Sequence, residues 1–175
     1  MWWRIKTEET EKVKTVVGKI MSGRIVNPSY NDDSSKKADY NRWIQVQSSF
    51  PNMSNVHYEL IWDDGKLYWE LHIEPQNVAD HYKYSRIARY IQDSTKDDSS
   101  LVWYNDGPAY KVRYNCIINS DDSLEKGLML LYDKYDKLLE DCAKRFKPTD
   151  LTLPYKNPSE FKKFDDEEEV CLKTM

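Results

Sequence analysis

The chain has 175 residues, of which 39% are hydrophobic, and it includes 6 Trp and 13 Tyr. This length suffices for one domain with a hydrophobic core and is too short for two. The formal net charge of −4 disfavours a dedicated nucleic-acid-binding protein, because such proteins neutralise phosphates with a surplus of Lys and Arg.

Nothing in the sequence predicts a membrane segment or an export signal. No run of 18 apolar residues occurs, and residues 1–4 lead directly into a charged segment. The three cysteines lack metal-type C-x-x-C spacing and fit a reducing compartment. We therefore expect a cytoplasmic protein that makes no membrane contact.

The first part of the chain predicts a helix, a loop and a strand. Residues 6–21 carry Val13, Val16 and Val17 at helical spacing, which predicts an amphipathic helix. Residues 27–39 are rich in turn formers and charge, which predicts a surface loop. Residues 40–48 mix aromatic, β-branched and polar side chains, so we expect a strand at an edge of the sheet.

A β-hairpin over residues 56–74 is the strongest local pattern. Asp64-Gly65 favours a two-residue type I′ turn, because both central positions need a positive φ. Counting outward from this turn pairs Leu60 with Trp69. Because side chains alternate along a strand, one face of the hairpin is then apolar. That face consists of Tyr58, Leu60, Trp62, Leu67, Trp69, Leu71 and Ile73.

A second helix and a second hairpin follow. Residues 79–92 place apolar side chains on one helical face and basic ones around the other. Asp106-Gly107 predicts the turn of the second hairpin, with Trp103 opposite Tyr110 and Leu101 opposite Val112. In this register Lys111 and Arg113 point away from the apolar face.

The third helix begins after an N-cap that we assign to Asp122. Its apolar stripe ends at Phe146. The stripe consists of Leu124, Leu128, Leu131, Tyr135, Leu138 and Cys142. Residues 147–175 show no periodicity and contain prolines and an acidic run, so we expect an extended or disordered tail.

The predicted order is α-β-β-β-α-β-β-α. Short antiparallel connections favour an α+β fold with two layers, in which helices cover one face of an antiparallel sheet of about five strands. We assign residues 1–146 to a single domain. The element order is similar to that of secretion-chaperone-like domains.

Residues 56–146 carry a closer resemblance. The run HYELIWDDGKLYWELHIE, a helix, the run LVWYNDGPAYKVRY and a Leu-rich helix together resemble an uncharacterised domain that follows restriction-endonuclease-like modules in bacterial proteins. The resemblance implies a bacterial or phage defence setting. It does not imply nuclease activity, because such nucleases need Glu-x-Lys on the second strand. This chain instead has Glu70-Leu71-His72 and Glu74-Pro75-Gln76.

The polar face of the central hairpin is the first candidate site. It carries two imidazoles and three carboxylates, which are donors that Zn²⁺ or Mn²⁺ accepts. The candidate metal ligands are His57, Glu59, Glu70, His72 and Glu74. The alternatives stay open: a metal site, a solvated sheet face, a face whose carboxylates Lys111 and Arg113 neutralise, and a contact surface for a basic partner.

Two further groups of residues are candidates for partner contact. A strip of cations and aromatics on the second helix has the chemistry of a nucleic-acid contact, although buried tyrosines and solvated charges explain it equally well. The strip consists of Tyr82, Lys83, Tyr84, Arg86, Arg89 and Tyr90. The second group is the acidic run of the tail, which consists of Asp165, Asp166, Glu167, Glu168 and Glu169. Cys116 and Cys142 fall on apolar stripes, so we expect both to be core residues.

Taken together, these patterns favour a non-enzymatic protein-interaction domain, and one version is an acidic inhibitor of a nucleic-acid-binding enzyme. The alternatives are a metal-dependent enzyme that uses the His/Glu cluster, and a nucleic-acid-binding accessory module. We expect a protein partner and no organic cofactor, and a homodimer is left open.

Overall fold

The computed structural model describes residues 5–30, 40–47, 55–75, 78–107 and 109–145. These residues form an α+β fold, which confirms the predicted fold class. The elements in chain order are β1 (Ile5–Lys6), α1 (Thr7–Ile20), β2 (Val26–Tyr30), β3 (Tyr40–Gln47), β4 (Val56–Asp63), β5 (Lys66–Ile73), α2 (Val78–Thr95), β6 (Leu101–Asp106), β7 (Ala109–Tyr114) and α3 (Asp121–Arg145). None of these helices has the length and apolar composition needed to cross a bilayer.

The strands form one antiparallel sheet in the order β2–β3–β4–β5–β7–β6. Asn41 pairs with both Tyr30 and Ile5, so β2 and β1 lie on opposite sides of β3. The short strand β1 therefore lies end to end with β4. The sheet has two more strands than the five expected, namely β1 and β2.

The strand β2 corrects two expectations about the first part of the chain. It occupies the start of the segment 27–39 that was predicted as a loop, and residues 31–39 lie outside the described residues. It also places β3 inside the sheet rather than at an edge. Because β2 contains turn-forming residues, the sequence pattern did not predict this strand. Pro28 is tolerated because β2 is an edge strand whose register shifts between Pro28 and Tyr30.

The central hairpin has the predicted register. Leu60 pairs with Trp69 and Glu59 with Glu70, as counted outward from the turn. Asp64 and Gly65 adopt positive φ values of 44° and 77°, which is the requirement of a type I′ turn. Local turn chemistry therefore determined which side chains share a face at the centre of the sheet.

The helices cover the apolar face of this hairpin. The indole Nε1 of Trp69 donates to the carbonyl oxygen of Leu124 at 2.9 Å, and the hydroxyl of Tyr58 donates to Oδ1 of Asp136 at 3.2 Å. Trp69 and Tyr58 are both fully buried. Since α3 also contacts α1 and α2, the three helices form one layer.

The third helix differs from the prediction at its start and along its stripe. Ser120 is the N-cap instead of Asp122, because its Oγ accepts a hydrogen bond from the backbone N–H of Ser123 at 3.1 Å. Leu139 is fully buried and Leu138 only partly, since a straight helix drifts away from a strict alternation of three and four residues. Phe146 and the tail, residues 147–175, lie outside the described residues.

The second hairpin has a different register from the predicted one. Trp103 pairs with Val112 and Leu101 with Tyr114, so each residue of β6 pairs two positions further along β7. The ladder starts at Asp106 and Ala109, since a proline at position 108 has no N–H to donate to it. A shift by two keeps every side chain on its predicted face. Cys116 was expected to be a core residue on the apolar face of this hairpin. It instead lies beyond β7 and is exposed.

Candidate metal centre

The polar face of the central hairpin is buried, although no described helix covers it. Strand alternation turns His57, Glu59, Glu70 and His72 away from α3. Their exposed fractions are only 6%, 7%, 0% and 1%. A solvated sheet face is therefore excluded for these four residues, whereas a face neutralised by cations is not. Buried ionisable groups persist only when partners satisfy them, so the contacts of each group matter.

Three donor atoms converge at one point on this face. Oε2 of Glu59 lies 3.2 Å from Nε2 of His57 and 3.5 Å from Nδ1 of His72. All three atoms lie within 4.8 Å of one another. Ligands of a tetrahedral Zn²⁺ ion bound at roughly 2.0–2.2 Å lie about 3.4 Å apart, and the two separations from Glu59 match this value.

Glu70 lies behind His72 and holds it in place. Its Oε2 lies 2.7 Å from Nε2 of His72 and accepts the hydroxyl of Tyr104 at 2.7 Å, while Oε1 accepts Nε–H of Arg113 at 2.5 Å. Burial alone raises the pKa of Glu70, but the hydrogen bonds from His72, Tyr104 and Arg113 outweigh it, and the pKa falls below its usual value. Glu70 is therefore an anion that orients the imidazole.

His72 has a carboxylate at each ring nitrogen. Nδ1 lies 3.0 Å from Oε1 of Glu74, and Nε2 faces Glu70. Burial lowers the pKa of His72, but its hydrogen bonds to Glu70 and Glu74 and the charge of Glu59 raise it from 6.5 to about 9. Without a metal ion, His72 is an imidazolium whose Nδ1 proton lies among the converging donor atoms.

Glu74 occupies the rim of the centre. Its side chain is 38% exposed, and its Oε2 lies 4.0 Å from Nε2 of His57. It does not belong to the group of mutually close donor atoms. Its hydrogen bond with His72 lowers the pKa of its carboxyl group. Glu74 thus offers a charged oxygen between the converging donors and solvent.

An open pocket of about 620 Å³ adjoins the centre. The pocket is lined by Glu59, His72 and Glu74 of the centre together with nine residues of β3, β4, β6 and β7. Those nine are Trp43, Gln45, Ile61, Trp62, Asp63, Tyr104, Asp106, Lys111 and Arg113. Of the three residues that supply the converging donor atoms, Glu59 and His72 therefore line the pocket.

The two cations predicted to neutralise this face behave differently. Arg113 does so: it donates to Glu70 and, through Nη1, to Asp63 at 2.8 Å, and it stacks over the ring of Tyr68 at 4.3 Å. Lys111 instead donates to Oδ2 of the exposed Asp106 at 2.8 Å. Arg113 thus lies inside the hydrogen-bond network, whereas Lys111 lies at the rim.

Chemically, the centre can hold either a proton or a divalent cation between the same atoms. The proton on Nδ1 of His72 is stabilised by Glu74 and Glu59. A metal ion in its place would be held by His57, Glu59 and His72, each of which offers one donor atom. Glu70 would then act as the carboxylate that fixes the tautomer of a metal-binding histidine.

Of the other predicted contact residues, those that the structure describes lie on α2. Arg86 and Arg89 are half-buried on α2, and each has contacts of its own. Tyr84 is buried in the core, and Tyr90 packs beneath the guanidinium of Arg145 at 5.2 Å. The side chains of Tyr82 and Lys83 and the acidic run 165–169 lie outside the described residues.

Three side chains of the site were not identified from the sequence. Tyr104 holds Glu70, Tyr68 lies under Arg113, and the amide of Gln45 donates to Oε2 of Glu59 at 3.1 Å. Alternation along β5 and β6 places Tyr68 and Tyr104 on the polar face, so this sequence pattern could have identified both side chains. Nothing local indicated that Gln45 pairs with Glu59, because that requires the pairing of β3 with β4.

No protein-family model, no curated protein and no solved structure matches this chain. The function is therefore inferred from the geometry of the described residues.

Proposed function

We propose that this protein is a metal-dependent enzyme whose His57, Glu59 and His72 hold a divalent transition-metal ion, with Zn²⁺ as the best fit. The observation that carries the proposal is the convergence of one oxygen and two imidazole nitrogens, with Glu59 Oε2 at 3.2 and 3.5 Å from the two nitrogens. Imidazole and carboxylate donors in this number suit Zn²⁺, and they also suit Fe²⁺.

The support of His72 strengthens the metal hypothesis. A metal-binding histidine commonly donates its other ring N–H to a carboxylate, which fixes its tautomer and orientation. Glu70 provides this carboxylate at 2.7 Å and is itself held by Tyr104 and Arg113. If the only role of His72 were a salt bridge with Glu70, neither the neighbouring imidazole of His57 nor the buried carboxylate of Glu59 would be required.

The shape of the centre favours catalysis over a structural role. Structural zinc sites are closed by four protein ligands, whereas catalytic sites have three and leave a position open. Here two of the three buried donor residues, Glu59 and His72, line a pocket of about 620 Å³. A bound divalent ion supplies Lewis acidity and activates water at such a position, so we propose hydrolysis as the reaction class.

Glu74 is placed to move a proton in this chemistry. Its carboxylate is 38% exposed at the mouth of the pocket and lies 3.0 Å from Nδ1 of His72. A general base must lie within hydrogen-bond reach of the water whose proton it takes, and Glu74 is the carboxylate of the rim that lies beside the converging donors. We assign it the role of proton acceptor rather than ligand.

Metal analysis of protein purified without an affinity tag tests the proposal. After dialysis against Zn²⁺ and then metal-free buffer, we expect a stoichiometric ion by mass spectrometry, and loss of that ion in His57→Gln and Glu59→Gln. His81→Gln, which changes the third histidine of the chain, on α2, is the matched control and should retain the ion. A wild-type chain that retains neither Zn²⁺ nor Fe²⁺ would overturn the proposal, as would His57→Gln binding like the wild type.

The protein-interaction hypothesis stays a prediction. Glu59 and Glu70 are buried, and the oxygens of Glu70 accept bonds from three side chains, so neither carboxylate is presented to a partner surface. The defence setting and the role of an acidic inhibitor accordingly receive no support from these two residues, and the acidic run 165–169 lies outside the described residues.

A further inference from the structure

The pocket beside the metal centre is lined by a second cation besides Arg113, namely Lys111. Lys111 lies directly opposite His72 in the ladder between β5 and β7. Opposite residues on one face of an antiparallel pair have Cβ atoms about 5 Å apart, so the Lys111 side chain starts next to the metal ligand. Its side chain is only 14% exposed and lines the pocket.

Lys111 differs from Arg113 in how firmly it is held. Arg113 is fixed by Glu70, Asp63 and the ring of Tyr68. The ammonium of Lys111 donates to Asp106, whose side chain is 69% exposed, at the rim of the pocket. Because Asp106 is largely exposed to solvent, which screens the pair, a ligand can compete with Asp106 for the ammonium of Lys111.

The pocket also has the size and walls of a small-molecule site. Its volume of about 620 Å³ falls within the roughly 300–1,000 Å³ that is usual for such sites. Trp43 on β3 and Tyr104 on β6 supply aromatic surface on its two sides. The pocket therefore combines an ammonium group and aromatic walls with two of the three proposed metal ligands, Glu59 and His72.

Resting on the proposed metal site, we infer that the substrate is a small organic anion whose oxyanion group places one oxygen on the metal and another on Lys111. The carboxylates that line the pocket, namely Glu59, Asp63, Glu74 and Asp106, repel such an anion while no metal is bound. A divalent ion changes this balance, and an ammonium is a point charge that suits either a carboxylate or a phosphate. Anion binding therefore requires the metal.

Titration of the Co²⁺-loaded protein tests the inference, because the visible spectrum of Co²⁺ reports a new ligand. The two probes are benzoate and inorganic phosphate, which tell a carboxylate substrate from a phosphorylated one. We expect one of them to change the spectrum. Lys111→Met should raise its half-saturation concentration about tenfold, since a charge-assisted hydrogen bond is worth roughly that factor.

Two variants make the test specific. Asp106→Asn releases Lys111 and should lower the half-saturation concentration, the opposite sign to Lys111→Met. Lys126→Met is the matched control, because Lys126 pairs with Asp122 on the exposed side of α3, and it should leave the titration unchanged. The metal content of each sample is measured after the titration, and folding is checked by circular dichroism.

The failures of the two proposals are distinguishable. If Co²⁺ and Zn²⁺ do not bind, the metal centre and the anion site are both overturned. If Co²⁺ binds stoichiometrically but neither probe changes its spectrum, or Lys111→Met and Asp106→Asn titrate like the wild type, the anion site is overturned and the metal centre stands.

Discussion

Nε2 of His72 lies 2.7 Å from Oε2 of Glu70, and both side chains are fully buried at the centre of the sheet. This contact joins two strand neighbours on one face and turns the other ring nitrogen, Nδ1, toward Glu59. Because Tyr104 and Arg113 hold Glu70 from β6 and β7, the orientation of one imidazole depends on three strands.

Glu70→Gln should weaken metal binding without removing a ligand. The amide keeps the shape of the side chain but loses the charge that orients His72, and loss of such a support costs roughly 10–100-fold in metal affinity. Competition with a chromophoric chelator measures the Zn²⁺ affinity. Glu140→Gln, at an exposed position of α3 paired with Lys144, is the control. Equal affinities for the two variants would show that Glu70 does not support the centre.

The stability of the metal-free protein should fall as the pH rises above neutrality. The pKa of His72 is raised from 6.5 to about 9, so its contribution is complete below pH 6.5 and is lost by about pH 9. The groups around it are Glu70, Glu74, Glu59 and His57, with Lys111 opposite.

At the acidic end the sign is reversed. The pKa values of Glu70 and Glu74 are lowered, so their contributions are present above pH 4.5 and are lost as the pH falls through the lowered values. Urea unfolding in EDTA should therefore give the highest unfolding free energy between pH 4.5 and 6.5. His72→Gln should flatten the alkaline side, and a wild-type stability that rises from pH 6.5 to 9 would contradict the assignment.

Gly127→Ala should destabilise the protein, whereas Gly18→Ala should stabilise it. A Cβ at Gly127 would lie 2.8 Å from Cδ1 of Trp69, whose indole is fixed by its bond to Leu124. Overpacking of this kind costs about 1–3 kcal/mol. Gly18 is exposed on α1 with nothing within 4 Å, so Ala gains roughly 0.5–1 kcal/mol there. Thermal unfolding measures both, and a stable Gly127→Ala would show that α3 can move away from Trp69.

The two described cysteines should differ sharply in reactivity. Cys142 is fully buried, and burial raises the pKa of its thiol to about 12, so the thiolate is scarce at pH 8. Cys116 is exposed. Iodoacetamide followed by peptide mass spectrometry should modify Cys116 in the native protein and Cys142 only in urea. Rapid native labelling of Cys142 would mean that α3 opens locally.

The sequence alone was sufficient for features that depend on near neighbours. The Asp64-Gly65 turn determined the pairing of β4 with β5, and strand alternation then assigned every residue of the hairpin to a face. Helical spacing identified the buried apolar residues of α2 and most of the α3 stripe. These predictions succeeded because turn geometry and periodicities of 2.0 and 3.6 residues are properties of a short segment.

The tertiary structure decided what the polar face is. Two imidazoles and three carboxylates were recognisable on it, but their burial and their division into converging donors, a supporting Glu70 and a rim Glu74 were not. Those properties depend on Gln45, Tyr104 and Arg113, which reach the face from β3, β6 and β7. The register of β6 and the strand β2 also escaped prediction, because long-range pairing overrides the local preferences of Gly, Pro and Asn.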